Sequence, residues 1–413
     1  MGILFFHLFI MFMEDFDDNT LKISHLRKLI GGMHMVKLLT ANTLEAYELE
    51  IALEEILEQL DMENNGMKNS AGFLFCHPDF IETGVAQGIA AALPFDVVGA
   101  TTVCNLTEGL RDLAGLTISV ITSDSVEFSA ASLSGSGTEE EIVKVYEMVS
   151  EGRSGVPSLI FPFATTAGGD IAVNVLDRLT GGQTPFFGTN AVDNTADASQ
   201  AVALHNGNAF HKGLTMIAAW GDLKARFLVS EISEDFIQKQ HAVVTKSEGH
   251  IVMSINDISP ADYLNSIGIS LEQADGNLHA IPFFVDFCDG TKPAGRVFYK
   301  LTPEGYIITG GAMPINSTFA VGSLDGDDIA NLTNRTLDDI LSSGKSTGVL
   351  LFPCVSHFWT LENMPFELIQ DRLDEKIPYQ VFYSGGEICP VYDADGKMHN
   401  RFHSFTCVAC SFE

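Results

Sequence analysis

The chain has 413 residues, 46% hydrophobic and 19% charged, with 23 Lys+Arg against 54 Asp+Glu and a net charge of −31. That length predicts two domains or three, and that composition excludes wholesale disorder. A surface this acidic, with no Lys/Arg stripe in the sequence, argues against nucleic-acid and anionic-membrane partners.

Residues 1–35 are expected to be a leader or non-native extension. The apolar run Ile3–Met13 has no preceding Lys or Arg, no small-residue cleavage site, and about half the roughly 20 residues a membrane span needs. Regular patterning begins at Val36. Seven cysteines (76, 104, 288, 354, 389, 407 and 410) are odd in number and scattered. They fit a reducing, cytoplasmic compartment better than a disulfide framework, so the Asn-x-Ser/Thr triplets at Asn105, Asn316, Asn331 and Asn334 are not read as glycan acceptors.

In chain order, Val36–Ala41 predicts a strand. Asn42-Thr43 predicts a cap for a helix whose packed face carries Leu49, Leu53, Ile56, Leu57 and Leu60. Ala71–Cys76 predicts a buried strand and Pro78–Leu93 one helix. Strands follow at 96–103, 116–123 and 126–133. Thr138 with Glu141 forms a capping box opening a helix to Gly152. Ser158–Phe163 predicts a strand and Gly168–Thr180 a helix. Asn206-Gly207 predicts a hairpin joining Ala201–His205 to Leu214–Trp220, and Glu248-Gly249 a second one. The polar stretch Ser230–Lys239 predicts a domain boundary. Beyond it lie a helix at Pro260–Gly268, strands at 281–287, 297–301 and 306–309, and a capped helix at Asp327–Ser343. Then come a strand at Gly348–Cys354, a helix at Pro365–Lys376, and strands at Tyr379–Tyr383 and Phe405–Phe412. Three strand-to-helix units begin alike: Gly72–Cys76, Ser158–Pro162 and Gly348–Pro353. The expected fold class is mixed α/β (α+β), with two lobes of mixed sheet covered by helices in an α/β/β/α layering.

No phosphate-binding loop, dinucleotide fingerprint, Gly-x-Ser-x-Gly or His-Glu-x-x-His is present. Two constellations could carry chemistry. Cys354-x-x-His357 with His399-x-x-x-His403 has zinc-like ligand types, but the second pair reads as loop entering a strand, so the rings need not converge. Cys354 with His357 or His403 as base could form a thiol nucleophile, although a packed, inert thiol is the better reading of it. Cys407-x-x-Cys410 places its thiols on opposite strand faces, as core residues.

Six segments occur in an order and spacing that resemble the FIST family: Val98–Val103, Pro185–Asn190, Val243–Gly249, Leu350–Cys354, Gly385–Pro390 and Phe402–Thr406. The resemblance divides the chain into 36–230 and 240–413, the FIST N-terminal and C-terminal domains. It implies a stand-alone sensory protein that binds a small ligand, an amino acid or other small metabolite, between the two lobes and signals to a downstream partner, with no cofactor. Two departures stand out: His357 occupies the place of the family's usual Arg, and His403-Ser404-Phe405-Thr406 replaces its usual His-Asn-x-Thr. A neutral His in place of Arg weakens carboxylate recognition. The ligand residues expected on this basis are Thr101, Thr102, Gly188, Thr189, Asn190, Cys354, His357, Glu387, His403 and Thr406. The rival reading is a Cys/His- or zinc-dependent hydrolase or transferase centred on Cys354.

Overall fold

The computed structural model describes residues 36–165, 169–195, 198–230, 241–269, 282–322, 325–361 and 366–413. The extension 1–35 and most of the boundary segment at 230–239 lie outside them. Val36–Glu413 forms one compact unit.

The first part of the chain builds β1 (Val36–Thr43), α1 (Leu49–Leu60), β2 (Asn69–Cys76), α2 (Val85–Ala92), β3 (Val97–Thr101), β4 (Asn105–Leu106), β5 (Leu116–Ser123) and β6 (Glu127–Ser134). It continues with α3 (Glu139–Ser150), β7 (Leu159–Ala164), α4 (Gly169–Thr180), β8 (Gly188–Asn190), β9 (Ala203–His205), β10 (Asn208–Phe210), β11 (Gly213–Trp220) and β12 (Ala225–Val229). Next are β13 (Ala242–Glu248), β14 (Ile251–Ile255), α5 (Pro260–Ser266), β15 (Phe283–Asp286), β16 (Ala294–Arg296), β17 (Phe298–Leu301), β18 (Ile307–Thr309) and β19 (Thr318–Val321). The last are α6 (Gly326–Ser342), β20 (Gly348–Pro353), α7 (Val355–Leu361), β21 (Tyr379–Phe382), β22 (Glu387–Tyr392), β23 (Met398–His403) and β24 (Cys407–Phe412).

These strands form four sheets, ordered β1-β5-β2-β3-β9-β10, β23-β22-β8-β7-β11-β6, β12-β24-β20-β21-β4 and β16-β15-β19-β13-β14-β18-β17. The second and third sheets mix strands from before residue 230 with strands from after 240. The mixed α/β class expected from sequence is what is found.

The three look-alike units become central strands of the first three sheets, and each pairs in parallel with a neighbour: β2 with β3, β7 with β8, β20 with β21. Both faces of each are buried, which explains their unbroken apolar character. Phe73 and Phe75, Phe161 and Phe163, and Leu350 and Phe352 meet in one core between the three sheets. The alternate residues face outward. Leu74 packs under α1 and α2, Ile160 under α3 and α4, and Leu351 beneath α6 and α7. At the centre, Phe352 stacks on Phe187 at 4.6 Å and meets Phe75 edge-on at 5.7 Å. Phe352→Ala is expected to lower stability by about 3–5 kcal/mol in urea unfolding, since it empties the point where three sheets meet. A loss under about 1 kcal/mol would show that this core is not shared.

Some local expectations fail for identifiable reasons. Asn42 and Thr43 finish β1, paired with Thr117 and Leu116, and the helix starts only at Leu49, so Leu57 ends up exposed rather than packed. The helix expected over 78–93 is broken at Gly84, whose φ of 82° ends one turn before α2 begins. Asn206-Gly207 joins β9 to β10, while β11 crosses to the second sheet between β7 and β6. His399 and His403 lie within β23 rather than in a loop. The Thr138–Glu141 capping box is present. Cys410 points into the three-sheet core and Cys407 into the cluster beneath α6, as strand alternation requires.

Candidate functional site

Parallel pairs matter because loops at their carboxyl ends diverge and leave a crevice. Here the ends of all three pairs are tied together. Thr102 N–H donates to the Cys76 carbonyl, Val192 N–H to Thr101, Ala191 N–H to Ala164, Gly385 N–H to Asn190, and Val355 N–H to Ser384. Beside this junction lies a crevice of about 280 Å³ lined by His77, Val103, Leu113, Ala114, Asn194, Phe358 and Trp359. A larger hollow of about 630 Å³ runs along α1, but its walls are residues of that one helix, three of them glutamates. We weight the smaller crevice, since several elements converge on it.

The His77 ring is fixed at both ends: Nε2 is 2.7 Å from Asn194 Nδ2 and Nδ1 is 3.3 Å from Asp79 Oδ1. Phe358 packs on Tyr383 at 5.4 Å. Trp359 is 46% exposed. None of these residues was expected from sequence. The available signal was positional, since His77 directly follows the buried end of β2.

The ten residues expected from sequence are all buried and none lines the crevice; most of them form a polar layer beside it. Glu387 lies at its centre. Ser384 and Thr406 hydroxyls donate to its two carboxylate oxygens, and Thr189 and His403 are its cross-strand neighbours. Cys354 N–H donates to the Thr406 carbonyl. Asn190 exchanges backbone bonds with Gly385 and Gly386, while its Oδ1 has no partner. Gly188 lets β8 approach β7, because a Cβ there would sit 2.0 Å from the Pro162 carbonyl. Thr101 and Thr102 are not drawn into this group. The Thr101 hydroxyl accepts the Val202 N–H, and the Thr102 hydroxyl lies 2.7 Å from the Tyr383 carbonyl. His357 is set edge-on against Phe405, and neither ring nitrogen has a hydrogen-bond partner. Phe405 itself adopts a φ of 61°, a strained value for an aromatic residue.

Sequence reading also missed Arg296. It is buried at the end of β16, where it donates to the carbonyls of Gly295 (2.8 Å), Phe402 (2.7 Å) and Ala312 (3.3 Å). Asp170, in the first turn of α4, accepts the Ala312 N–H, so the backbone of one residue links the buried cation to a buried carboxylate. Phe402 fills a slot walled by glycines. A Cβ at Gly169, Gly311 or Gly386 would fall 2.4, 2.8 or 2.2 Å from its ring. Gly386 is required there by this slot and by its φ of 151°, while a Cβ at Gly385 would fall 2.6 Å from Val192.

Burial sets the ionisation of this layer. It pushes the Glu387 carboxyl up to about 8, against the opposing effect of the Ser384, Thr406 and Cys354 hydrogen bonds. It pushes His403 down to about 3 and His357 down to about 4, so both are neutral. It lowers Arg296 to about 10, opposed by Asp170 and Glu387, and leaves it charged. Burial first, and Glu387 second, raise the Cys354 thiol far above its ordinary value. A nucleophilic thiol needs the opposite shift. The four zinc-like residues are also held apart. His399 faces Asp393 and Asp289, His403 Nε2 faces the Cys389 carbonyl, and His357 faces Phe405.

Residues 70–258 match the family model of the FIST N domain, and residues 236–390 match that of the FIST C domain. No curated protein matches the chain. No described helix is long and apolar enough to cross a membrane.

Proposed function

Because the chain belongs to the FIST family, whose domains are sensory domains in signal transduction, we propose that it binds a small metabolite in the crevice beside the strand ends. The observation that carries this reading is the origin of the lining. His77, Val103 and Asn194 come from the segment before residue 230, and Phe358 and Trp359 from the segment after 240. A ligand there touches both family segments at once. Closure of α7 on the ligand would pull on β20 and, through the Cys354–Thr406 bond, on the layer around Glu387. The signal would pass to a separate partner in the cytoplasm. An amino acid or another small metabolite remains the ligand class, and the raised Cys354 thiol favours binding over thiol catalysis.

A thermal-shift screen of amino acids and small neutral and acidic metabolites tests this, because a ligand stabilises the state it binds. At least one compound is expected to raise Tm by several degrees. Ala114→Trp, which fills the exposed rim of the crevice, is expected to abolish that shift while leaving the unliganded Tm within about a degree. A shift that survives Ala114→Trp would contradict this location.

A further inference from the structure

Resting on that reading, we infer that the crevice selects a small, uncharged, planar ligand carrying a hydrogen-bond donor beside an acceptor on one edge. A primary carboxamide or a nitrogen heteroaromatic ring has this character. A zwitterionic amino acid does not.

The polar end of the crevice supports this assignment. The His77 ring has a partner at each nitrogen: the Asp79 N–H donates to Nδ1 at 3.5 Å, with the Asp79 carboxylate 3.3 Å away, and the Asn194 amide lies 2.7 Å from Nε2. The imidazole is thereby occupied on both sides and acts as a fixed wall. Asn194 also lines the crevice, and its amide carries a carbonyl oxygen and an N–H side by side on one flat edge. Two groups of that kind recognise a matching planar edge through paired bonds.

The rest of the lining agrees. Phe358 and Trp359 lie side by side at the start of the crevice wall on α7, and Val103 and Leu113 complete an apolar surface. Aromatic faces favour planar partners by stacking. Among the described lining residues there is no Lys or Arg, and the Asp79 carboxylate lies 3.3 Å from His77 Nδ1. A ligand carboxylate would find no counter-ion and would face an acidic neighbour. A volume of about 280 Å³ suits one or two rings.

Trp359 supplies the readout. Emission excited at 295 nm would be titrated with nicotinamide, adenine, benzoate and L-phenylalanine, in the wild type, Trp359→Phe and Asn194→Ala. Nicotinamide or adenine is expected to change the emission saturably, with no such change in Trp359→Phe and at least tenfold weaker binding in Asn194→Ala. Benzoate, equal in shape to nicotinamide but anionic, is expected to bind at least tenfold more weakly. Saturable binding of benzoate or phenylalanine as tight as that of nicotinamide would overturn the chemistry assigned here while leaving the crevice as the site. Unchanged nicotinamide affinity in Asn194→Ala would overturn it too. A ligand from the thermal screen that leaves Trp359 emission unaffected and tolerates Ala114→Trp would remove the crevice itself, and this inference with it.

Discussion

Arg296→Ala is expected to lower stability by about 3–5 kcal/mol. The carbonyls of Gly295, Phe402 and Ala312 lose a buried donor; that of Gly295 keeps the Ser404 N–H, and an acceptor left unsatisfied costs about 1–3 kcal/mol. Asp170 also loses the cation beside it. The arginine joins β16 of the fourth sheet to β23 of the second, so its loss should loosen that junction first. Equilibrium urea unfolding measures the total, and amide exchange at Phe402 and Ala312 measures the local part. A change below about 1 kcal/mol, with exchange unaltered at both amides, would show that the buried guanidinium is not what ties the two sheets.

Glu387→Gln is expected to change how stability depends on pH. The folded-state value of Glu387, about 8, lies above its ordinary value of 4.5. The native state therefore holds an extra proton between those values. This contribution is fully present below about pH 4.5 and is lost as pH rises through 8. His403 and His357, lowered to about 3 and about 4, act in the opposite sense. Their contribution is fully present above about pH 6.5 and is lost as pH falls toward those values. Wild-type stability should therefore peak near pH 6.5, where the acid-side gain from the histidines ends and the alkaline-side loss from Glu387 continues. Between pH 6.5 and 8 the wild type should lose on the order of 1–2 kcal/mol more than Glu387→Gln, with the slope easing near 8. Taking the difference between the two proteins removes the titration of the thiols, which both share. Parallel curves over that interval would mean that Glu387 is ionised in the fold.

Much of the architecture was legible because it rests on local signals. The apolar runs 72–76, 158–162 and 348–353 announced buried strands, and they proved to be the three parallel-paired strands around one aromatic core. Capping residues announced α3 and α6. Less was legible where partners are distant. Nothing in the sequence near Leu214–Trp220 says that β11 leaves its hairpin neighbour for another sheet, because that choice depends on β7 and β6. β22 and β23 were missed because Pro390 and the polar run His399–Arg401 interrupt a strand pattern that the surrounding sheet imposes.

The candidate site divides the same way. Family resemblance pointed to Glu387, His403, Thr406, Thr189 and Cys354, and these do gather in one place, yet as a closed layer. The open crevice draws on residues 77, 103, 113, 114, 194, 358 and 359, of which only Val103 falls within a recognised segment. His77 and Asn194 are unremarkable alone and meaningful only at 2.7 Å from each other. Arg296 was invisible for a related reason. Its role depends on the Phe402 carbonyl, 106 positions away, and on a slot made by three glycines from separate segments.

The most direct test of the account is calorimetric titration of the strongest compound from the thermal screen into the wild type and Ala114→Trp. One binding event per chain is predicted for the wild type, with affinity at least 30-fold weaker in Ala114→Trp, about 2 kcal/mol. Equal affinity in the two proteins would place the ligand elsewhere and contradict the account.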